Sequence, residues 1–505
     1  MDFIREILRV VTSKSDSRKT LPELYEEGDD QLSAKFLRGV LDNRYTNDDD
    51  IALDLYGANK SDQRYRTLKS RLSDRLLHAL LFLQIKQPEH SEYLTYYYKC
   101  TRNLICSQTL MRFASRKAGT QLAERTLTTA RKYQFTDVSL SLASLLRESA
   151  GISMQKRNFI YYNSLLKKLV DLLAAEYRCD ELYDSLNMDL VYSRKKKSAF
   201  LKQTADYKLE IFNLMQAFQS HALILGYHRI SLFEADVIGD FEQSILRCDL
   251  ALKYLHANPH LSQKARIGEF SLTQMLCCLF LRRYRDALSM SENCIASFIE
   301  AGHNWYLAVD VSFASALLCG EYSQAEAFIH LATSHKRFPQ QNEITKERWF
   351  LYNAYLNLAE MLELKEKSDE KRKIAFRLST FLNSVPEFAK EKKIYNVHIL
   401  ILHAAFLIAE GNYDLAEKRI EYLRVYTTRY LKEKDFNRTR AFLRLLSSFP
   451  RLGFNAQLMR RDNTKALAEL HATANDPMPA ETNEFIPYDV IYEALLNVVA
   501  KIDVE

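Results

Sequence analysis

The chain has 505 residues and a formal net charge of only +6 at pH 7, so its charge alone does not require a nucleic-acid partner. Apolar residues make up 47% of the chain and charged residues 27%, which excludes a disordered protein. Its 12 glycines and 9 prolines fall far below the usual roughly 7% and 5% of a sequence. Because these residues punctuate hairpins and short loops, their scarcity favours long helices and an all-α fold.

The N-terminus and the cysteines indicate a cytoplasmic protein. Residues 1–14 form an amphipathic helical pattern and lack the uninterrupted apolar core of a signal peptide. No apolar run approaches the ~20 residues that span a bilayer, so no membrane partner is expected. The eight cysteines include no C-x-x-C pair and sit in apolar helical patterns. We therefore expect reduced, buried thiols rather than disulfides or a zinc site.

Residues 1–94 are predicted to form a helical N-terminal region that contains a helix-turn-helix-like element at 48–85. An Asn/Asp-rich break at 47–50 precedes a short helix and a turn, and a strong helix runs from about Asp62 to Gln84. That second helix is basic, and the side chains that would contact nucleic acid are Arg64, Arg66, Lys69 and Arg71. Long basic side chains also suit any solvated helix face. Both interpretations remain open.

Residues 95–204 have the same helical texture but only irregular repeats. A positive run at 194–197, followed by Lys202, suits either phosphates and acidic partners or a solvated helix end. The 29 tyrosines are numerous for the chain and cluster at several points, including Tyr161 and Tyr162. Tyrosine offers contact area with few rotatable bonds to freeze, so these clusters are alternative candidates for a partner site.

A short phrase recurs along residues 205–470 and predicts a repeat array. It begins at Gly239, Arg282, Gly320 and Gly411, so the successive spacings are 43, 38 and 91 residues. Each phrase has an aromatic residue at its third position and a small residue three positions later. The longest gap fits two repeats, with a missing phrase near 365–369 ahead of an apolar run that begins at 374. Helical hairpins closed by tight turns explain this pattern.

The phrase resembles the turn of the tetratricopeptide-repeat family, most clearly in GDFEQSILRCDLALKYLHANP (239–259) and GNYDLAEKRIEYL (411–423). The resemblance covers roughly residues 205–445, and the repeats are longer and more degenerate than the family's ~34-residue unit. It implies a right-handed superhelix of antiparallel helix pairs, in which the first helix of each pair lines the concave face. Members of this family bind protein or peptide partners along that face.

Residues 346–360 are the best candidate for the partner groove. Cations could meet the carboxylates of a ligand, and asparagine amides could bond its backbone. The candidate partner-binding residues are Lys346, Arg348, Tyr352, Asn353, Tyr355 and Asn357. If the two asparagines line a groove, replacing both by alanine should weaken partner binding and leave thermal stability nearly unchanged. Ordinary packing between helices is the alternative interpretation.

Residues 471–487 contain three prolines and are predicted to form a linker. The amphipathic segment 488–505 is predicted to form a helix that caps the end of the array, because solenoids need a terminal lid.

No catalytic residues, cofactor or metal site are predicted, since the chain has no Gly-rich phosphate loop, H-E-x-x-H or G-x-S-x-G motif. The first functional hypothesis is a non-enzymatic scaffold or adaptor with a protein or peptide partner in its concave groove. The second is a regulator that contacts nucleic acid through residues 60–75 while its repeats sense a partner.

Overall fold

The computed structural model describes residues 2–14, 31–42, 44–82, 92–192, 196–366, 376–383, 393–430, 437–472 and 484–502. Within these ranges every regular element is a helix, and the predicted all-α fold is confirmed there. None of these helices is both long and apolar enough to cross a membrane. The chain divides into two compact units, Met1–Leu173 and Ala174–Glu505.

The first unit begins with four helices around a common core. They are α1 (Asp2–Lys14), α2 (Gln31–Leu41), α3 (Asp48–Tyr56) and α4 (Gln63–Phe82). The amphipathic pattern predicted at the N-terminus is confirmed as α1. Apolar side chains from all four helices form one buried cluster, which includes Ile4, Leu8, Phe36, Ile51, Leu68 and Leu72.

The predicted helix, turn and second helix from Asp48 onward are present up to Phe82, and residues 83–85 lie outside the described ranges. The Asn47 side chain accepts hydrogen bonds from the N–H groups of Asp49 and Asp50 at 2.8 and 3.0 Å. The Asp50 carboxylate accepts one in return from the Asn47 N–H. This reciprocal capping box fixes the start of α3. The helix ends at Gly57, whose φ of 61° suits a residue without a side chain.

Three tight turns at even spacing follow in the first unit, where the sequence analysis expected only irregular repeats. The helices are α5 (Glu92–Arg112), α6 (Arg116–Lys132), α7 (Thr136–Ile152) and α8 (Lys156–Tyr192), and the part of α8 from Ala174 onward belongs to the second unit. They are separated by Ala114, Gln134 and Met154, which have φ values of 62°, 53° and 53°. In each turn the next residue donates its N–H to a carbonyl five residues back, as in a Schellman motif. Because none of the three turn residues is a glycine, the sequence pattern did not reveal them.

The second unit is a succession of helices in which chain neighbours pack against each other. The helices are α9 (Lys197–Ala217), α10 (His221–Ile238), α11 (Phe241–Ala257), α12 (Lys264–Phe280), α13 (Tyr284–Ser289), α14 (Ser291–Ala296), α15 (His303–Cys319), α16 (Tyr322–Ser334), α17 (Glu343–Met361), α18 (Leu378–Asn383), α19 (Lys393–Ala409), α20 (Tyr413–Tyr430), α21 (Asn437–Arg451), α22 (Ala456–Asp462), α23 (Thr464–Ala472) and α24 (Tyr488–Ile502). Consecutive packing of helix pairs is compatible with an α-solenoid.

All four recurring phrases form the turns between paired helices. Their first residues, Gly239, Arg282, Gly320 and Gly411, have φ values of 82°, 61°, 76° and 72°. The small residues five positions later are completely buried, as a close approach of two helices requires; they are Ser244, Ala287, Ala325 and Ala416. The turn that the phrase predicts is therefore confirmed at each position.

The aromatic residue of the phrase packs differently from the expectation in two of the copies. Its predicted contact was the first helix of its own pair. The Phe241 ring instead lies 4.9 Å from the ring of Phe280, at the end of the following first helix. Likewise the Tyr413 ring stacks at 4.1 Å on Phe454, just after α21. In these copies the aromatic residue joins one pair to the next.

The missing phrase corresponds to a turn slightly earlier than predicted. Glu363 has a φ of 56°, and the Leu364 N–H donates to the carbonyl of Ala359 at 2.9 Å. The prediction placed this turn at 365–369, and residues 374 and 375 of the expected second helix lie outside the described ranges. An unpredicted turn of the same kind follows α21 at Gly453, with a φ of 61°. Neither turn has an aromatic residue at the third position, which explains why the phrase did not identify them.

The C-terminal helix α24 is present where the sequence predicts a helix. It packs against α19 as well as against α21, α22 and α23, so its contacts reach beyond the last helix pair. Of the predicted linker, 473–483 lie outside the described residues, whereas Glu484, Phe485 and Ile486 are buried at 4%, 5% and 0% exposure. These three residues, here called the C-terminal segment, approach the helix that carries the candidate partner-binding residues.

Candidate functional site

Helix α17 carries all six candidate partner-binding residues and is fixed at both ends. Its N-cap is Asn342, whose side chain accepts a hydrogen bond from the Thr345 N–H at 2.8 Å. Glu343 in the first turn suits the positive end of the helix dipole. The left-handed residue Glu363 ends the helix. Between these ends α17 packs against α16 on one side and α19 on the other.

The packing of α17 buries three of the six candidates. Tyr352, Asn353 and Tyr355 are 2%, 0% and 1% exposed, so they do not form the open strip that the sequence analysis expected. The physical reason is that α17 has neighbours on several sides, and a tyrosine or asparagine in such a helix is enclosed. Lys346 and Asn357 are half-buried and Arg348 is exposed. The structure thus separates the predicted strip into a buried part and an accessible part.

Arg348 and Tyr352 converge on one carboxylate. The Arg348 Nη1 donates to Asp310 Oδ2 at 2.6 Å, and the Tyr352 hydroxyl donates to the other oxygen of the same side chain. The negative charge of Asp310 raises the pKa of the Arg348 guanidinium, and burial raises the pKa of the Tyr352 hydroxyl well above its usual value. Asp310 belongs to α15, so these bonds tie α17 to the first helix of the preceding pair.

The two asparagines bond to each other rather than forming a row open to a ligand. The Asn357 Nδ2 donates to the backbone carbonyl of Asn353 at 2.7 Å. Lys346 forms an ion pair with Glu343, one turn earlier on the same helix, at 2.9 Å. These contacts leave Lys346 and Asn357 at the accessible edge of α17, and their role in partner binding stays a prediction.

An aromatic cluster on α17 and α19 holds the side chain of Phe485. The centroid of its ring lies 4.9 Å from that of Tyr352, 5.2 Å from that of Tyr355 and 5.0 Å from that of His398. Distances and tilts of this kind are favourable for aromatic pairs. The Tyr355 hydroxyl and the His398 Nδ1 share a hydrogen bond of 2.7 Å. Two candidate partner-binding tyrosines therefore contact a segment of their own chain.

Two arginines from distant repeats hold the Glu484 carboxylate. Arg438 on α21 is bidentate, with Nε at 2.7 Å from Oε2 and Nη2 at 3.0 Å from Oε1. Arg282, in the turn after α12, reaches Oε2 at 3.4 Å. Arg438 also donates to the Leu470 carbonyl at 2.6 Å and to Asp489 at 3.2 Å. Burial opposes the charge on Arg438, but the pairing with Glu484 outweighs it and raises the pKa of the guanidinium.

These contacts define one surface, here called the segment site. It comprises Arg282, Tyr352, Tyr355, His398 and Arg438, and it contacts the Glu484 carboxylate and the Phe485 ring of the C-terminal segment. Ile486, the next residue of the segment, is completely buried. The sequence predicted the two tyrosines as partner-binding residues, but it did not predict a role for the arginines, His398 or the C-terminal segment. For Arg282 the sequence did offer a signal, because it stands where the other three copies of the recurring phrase have a glycine. Nothing local in the sequence marked Arg438 or Glu484 as partners 46 residues apart.

The candidate nucleic-acid residues on α4 differ in their availability. Arg64 is paired with Asp62 at 2.9 Å and Lys69 with Asp48 at 2.8 Å. Arg64, Arg66 and Arg71 are exposed, and Lys69 is half-buried. Burial alone would raise the pKa of Asp48, but hydrogen bonds from Lys69 and Tyr65 lower it to about 2. The acidic N-terminus of α3 thus neutralises part of the basic helix.

The other candidate surfaces are the basic run that begins at position 194 and the tyrosines at 161 and 162. Arg194 and Lys195 lie outside the described residues, and Lys197 and Lys202 are exposed. Tyr161 is 53% exposed, whereas Tyr162 is buried and donates its hydroxyl hydrogen to Glu124 at 3.1 Å. Within the described ranges, no group of three or more His, Cys, Asp or Glu residues is arranged to hold a metal ion.

The comparisons with known proteins give no family for this chain. No protein-family model, no curated protein and no solved structure matches it.

Proposed function

We propose that the chain is a non-enzymatic scaffold or adaptor that binds a protein or peptide partner through the helix pairs of its second unit. In this proposal the pairs form a right-handed, tetratricopeptide-like superhelix in the cytoplasm, and the partner lies along its concave face. The proposal rests in part on fold analogy, because helical repeat arrays commonly bind extended segments in this way.

The segment site is the observation that supports this proposal most strongly. Residues from the turn after α12 and from α17, α19 and α21 together hold Glu484 and Phe485, in a segment that has no helical structure. Those helices and that turn belong to four different pairs. A surface that holds an acid and a ring from a non-helical segment has the chemistry that peptide recognition needs.

The accessible edge of α17 extends this surface. Arg348 is exposed and lies beside Tyr352 through their common partner Asp310. Lys346 and Asn357 are half-buried on the same helix. A partner seated near the segment site would meet two cations and one amide here, and charge-assisted bonds at such a rim contribute modestly. These three residues therefore set orientation more than affinity.

The proposal is tested by affinity capture of the chain at its natural level, followed by titration of the purified partner in a calorimeter. We expect one protein at about one copy per chain and saturable binding by the purified components. A substrate turned over by the purified chain alone, with no stoichiometric partner, contradicts the proposal. A matched variant, Arg348→Glu, should weaken binding by only a few-fold, whereas Arg157→Glu, at an exposed arginine of the first unit, should leave it unchanged.

A second candidate function, contact with nucleic acid, is favoured by the joint between α3 and α4. Two helices meet there at a capped turn, and Arg66 and Arg71 project from the exposed side of α4. The measurement is retention on duplex and single-stranded nucleic acid as a function of salt. Binding whose salt slope falls by about 2 in Arg66→Glu/Arg71→Glu supports this function. No retention of the wild-type chain at low salt removes it.

A further inference from the structure

The C-terminal segment has the character of a bound ligand rather than of a simple lid. Lid formation needs an apolar stripe, and α24 supplies one through Ile491, Leu495 and Val499, all fully buried. The segment that precedes α24 instead brings a carboxylate into a buried position, with 4% of the Glu484 side chain exposed. Burying a carboxylate is costly unless cations are placed to receive it. Arg282 and Arg438, 13% and 12% exposed, are placed there.

The three successive side chains of the C-terminal segment are buried in three different ways. Arg438 grips the Glu484 carboxylate with two parallel bonds, a geometry that only a carboxylate or phosphate satisfies. Three rings surround Phe485, and Ile486 is completely enclosed. Buried charge pairs add little net stability, but they fix which segment lies where. The buried segment therefore presents the order acidic, aromatic, aliphatic, and the site contacts its first two side chains.

We propose that the segment site is the partner's docking site, that the partner presents a non-helical acidic–aromatic–aliphatic segment, and that Glu484-Phe485-Ile486 is a built-in competitor for it. The inference rests on the proposed scaffold function and specifies the chemistry of the partner. The occupant is a protein segment, since the segment site holds residues that are consecutive along a polypeptide. A free anion would satisfy the arginines but would leave the aromatic cluster without Phe485.

Competition has a quantitative consequence. A segment tethered to its own site acts at an effective concentration of about millimolar or above, so it competes with a partner and weakens its binding without preventing it. The apparent affinity of a partner is its intrinsic affinity multiplied by the fraction of chains in which the site is open. Weakening the tethered segment should therefore strengthen binding in trans, provided that the acceptor residues are unchanged. This reversal distinguishes competition from an ordinary structural contact.

The experiment uses the full chain and a fluorescent, N-acetylated peptide of residues 484–490, EFIPYDV. Two variants weaken the tethered segment, Glu484→Gln alone and Glu484→Gln/Phe485→Ala, and both leave the segment site intact. We expect the peptide to bind the double variant at least about tenfold more tightly than the wild-type chain, with the single variant between them. The control variant Glu493→Gln, at an exposed carboxylate of α24, should behave as the wild type. A control peptide with Gln and Ala at its first two positions should not bind.

Some outcomes of this experiment would overturn the inference, and others would separate it from the proposed scaffold function. Equal binding of the peptide to the wild-type chain and the variants, or no binding to any folded variant, overturns the inference. Loss of cooperative unfolding in both variants also overturns it, because the segment would then be an indispensable part of the core. If the captured partner binds the chain but the peptide does not displace it, the scaffold function stands and only this docking site is wrong. If no partner is recovered although the peptide binds the double variant, the scaffold function fails instead.

Discussion

Arg438 holds both carboxylate oxygens of Glu484, through Nε–Oε2 and Nη2–Oε1 distances of 2.7 and 3.0 Å. The two side chains are 12% and 4% exposed, so the pair is buried. It fastens the residues before the last helix to α21. The contribution of this pair to the free energy of unfolding can be measured directly.

Arg438→Ala should lower the free energy of unfolding by about 3 kcal/mol, because it leaves the buried Glu484 carboxylate with Arg282 as its remaining cation. Urea denaturation followed by tryptophan fluorescence reports on the correct unit, since both tryptophans of the chain, Trp305 and Trp349, lie in it. In the Glu484→Ala background the same change should cost less. Additive costs of the two changes would show that the residues do not interact. Lys501→Ala, which removes a partner of the exposed Glu363, should cost no more than about 1 kcal/mol.

The second unit should lose stability as the pH falls from 6.5 towards 4. Burial lowers the pKa of His398 and of His403 to about 4, whereas an unfolded histidine titrates near 6.5. The unfolded state therefore binds more protons in this window, and protonation favours unfolding. We expect about 2 kcal/mol per histidine to be lost between pH 7 and pH 5. His398→Asn should flatten the pH dependence, and an unchanged slope in this variant would contradict the assignment.

The turn residues that recur along the array should be sensitive to a side chain even where space is free. Gly320 has a φ of 76°, and nothing lies within 4 Å of the position that a Cβ would take. Gly320→Ala should cost about 1 kcal/mol through the left-handed backbone alone. Gly320→Asn should cost less, since asparagine tolerates this conformation better. Equal costs for both variants would mean that conformation at this position is unimportant.

Asn353 is now expected to stabilise the fold rather than to face a partner. It is completely buried, so Asn353→Ala should lower the free energy of unfolding by about 1–3 kcal/mol by removing a buried polar group from its surroundings. Asn357→Ala, at the half-buried edge, should have the smaller effect. The two variants are compared by thermal and urea unfolding. An unaltered melting temperature in Asn353→Ala would favour the original expectation of an accessible amide.

Local features of the fold were predictable because they depend on neighbouring residues. The turns at Gly239, Gly320 and Gly411 follow from a residue that tolerates positive φ next to a helix start, and the structure has them there. The turns at Gln134 and Met154 use residues that rarely adopt this conformation. No sequence pattern distinguishes such residues from ordinary helical ones, so the regular pairs of the first unit were missed.

The candidate site was predictable only in part, since burial depends on distant packing. The composition of α17 predicted Tyr352 and Tyr355 as partner-binding residues, and in the structure both are buried and contact Phe485 of their own chain. Whether a helix face is open or covered depends on segments more than a hundred residues away. The pairing of Arg282 with Glu484 spans 202 residues. Sequence periodicity carries no information on such a pair, because only the folded chain brings the two residues together.

Photo-crosslinking from position 348 is the most direct test of whether this surface binds a partner. A photoreactive residue in place of Arg348 lies at the accessible edge of α17, and the matched control replaces Met154, which is 88% exposed in the first unit. Irradiation in the native cell followed by mass spectrometry should give a single protein adduct from position 348 and none from position 154. The crosslinked partner residues should lie beside an acidic–aromatic–aliphatic segment. Adducts of equal yield from both positions, or none from position 348, would contradict a partner-binding role for this surface.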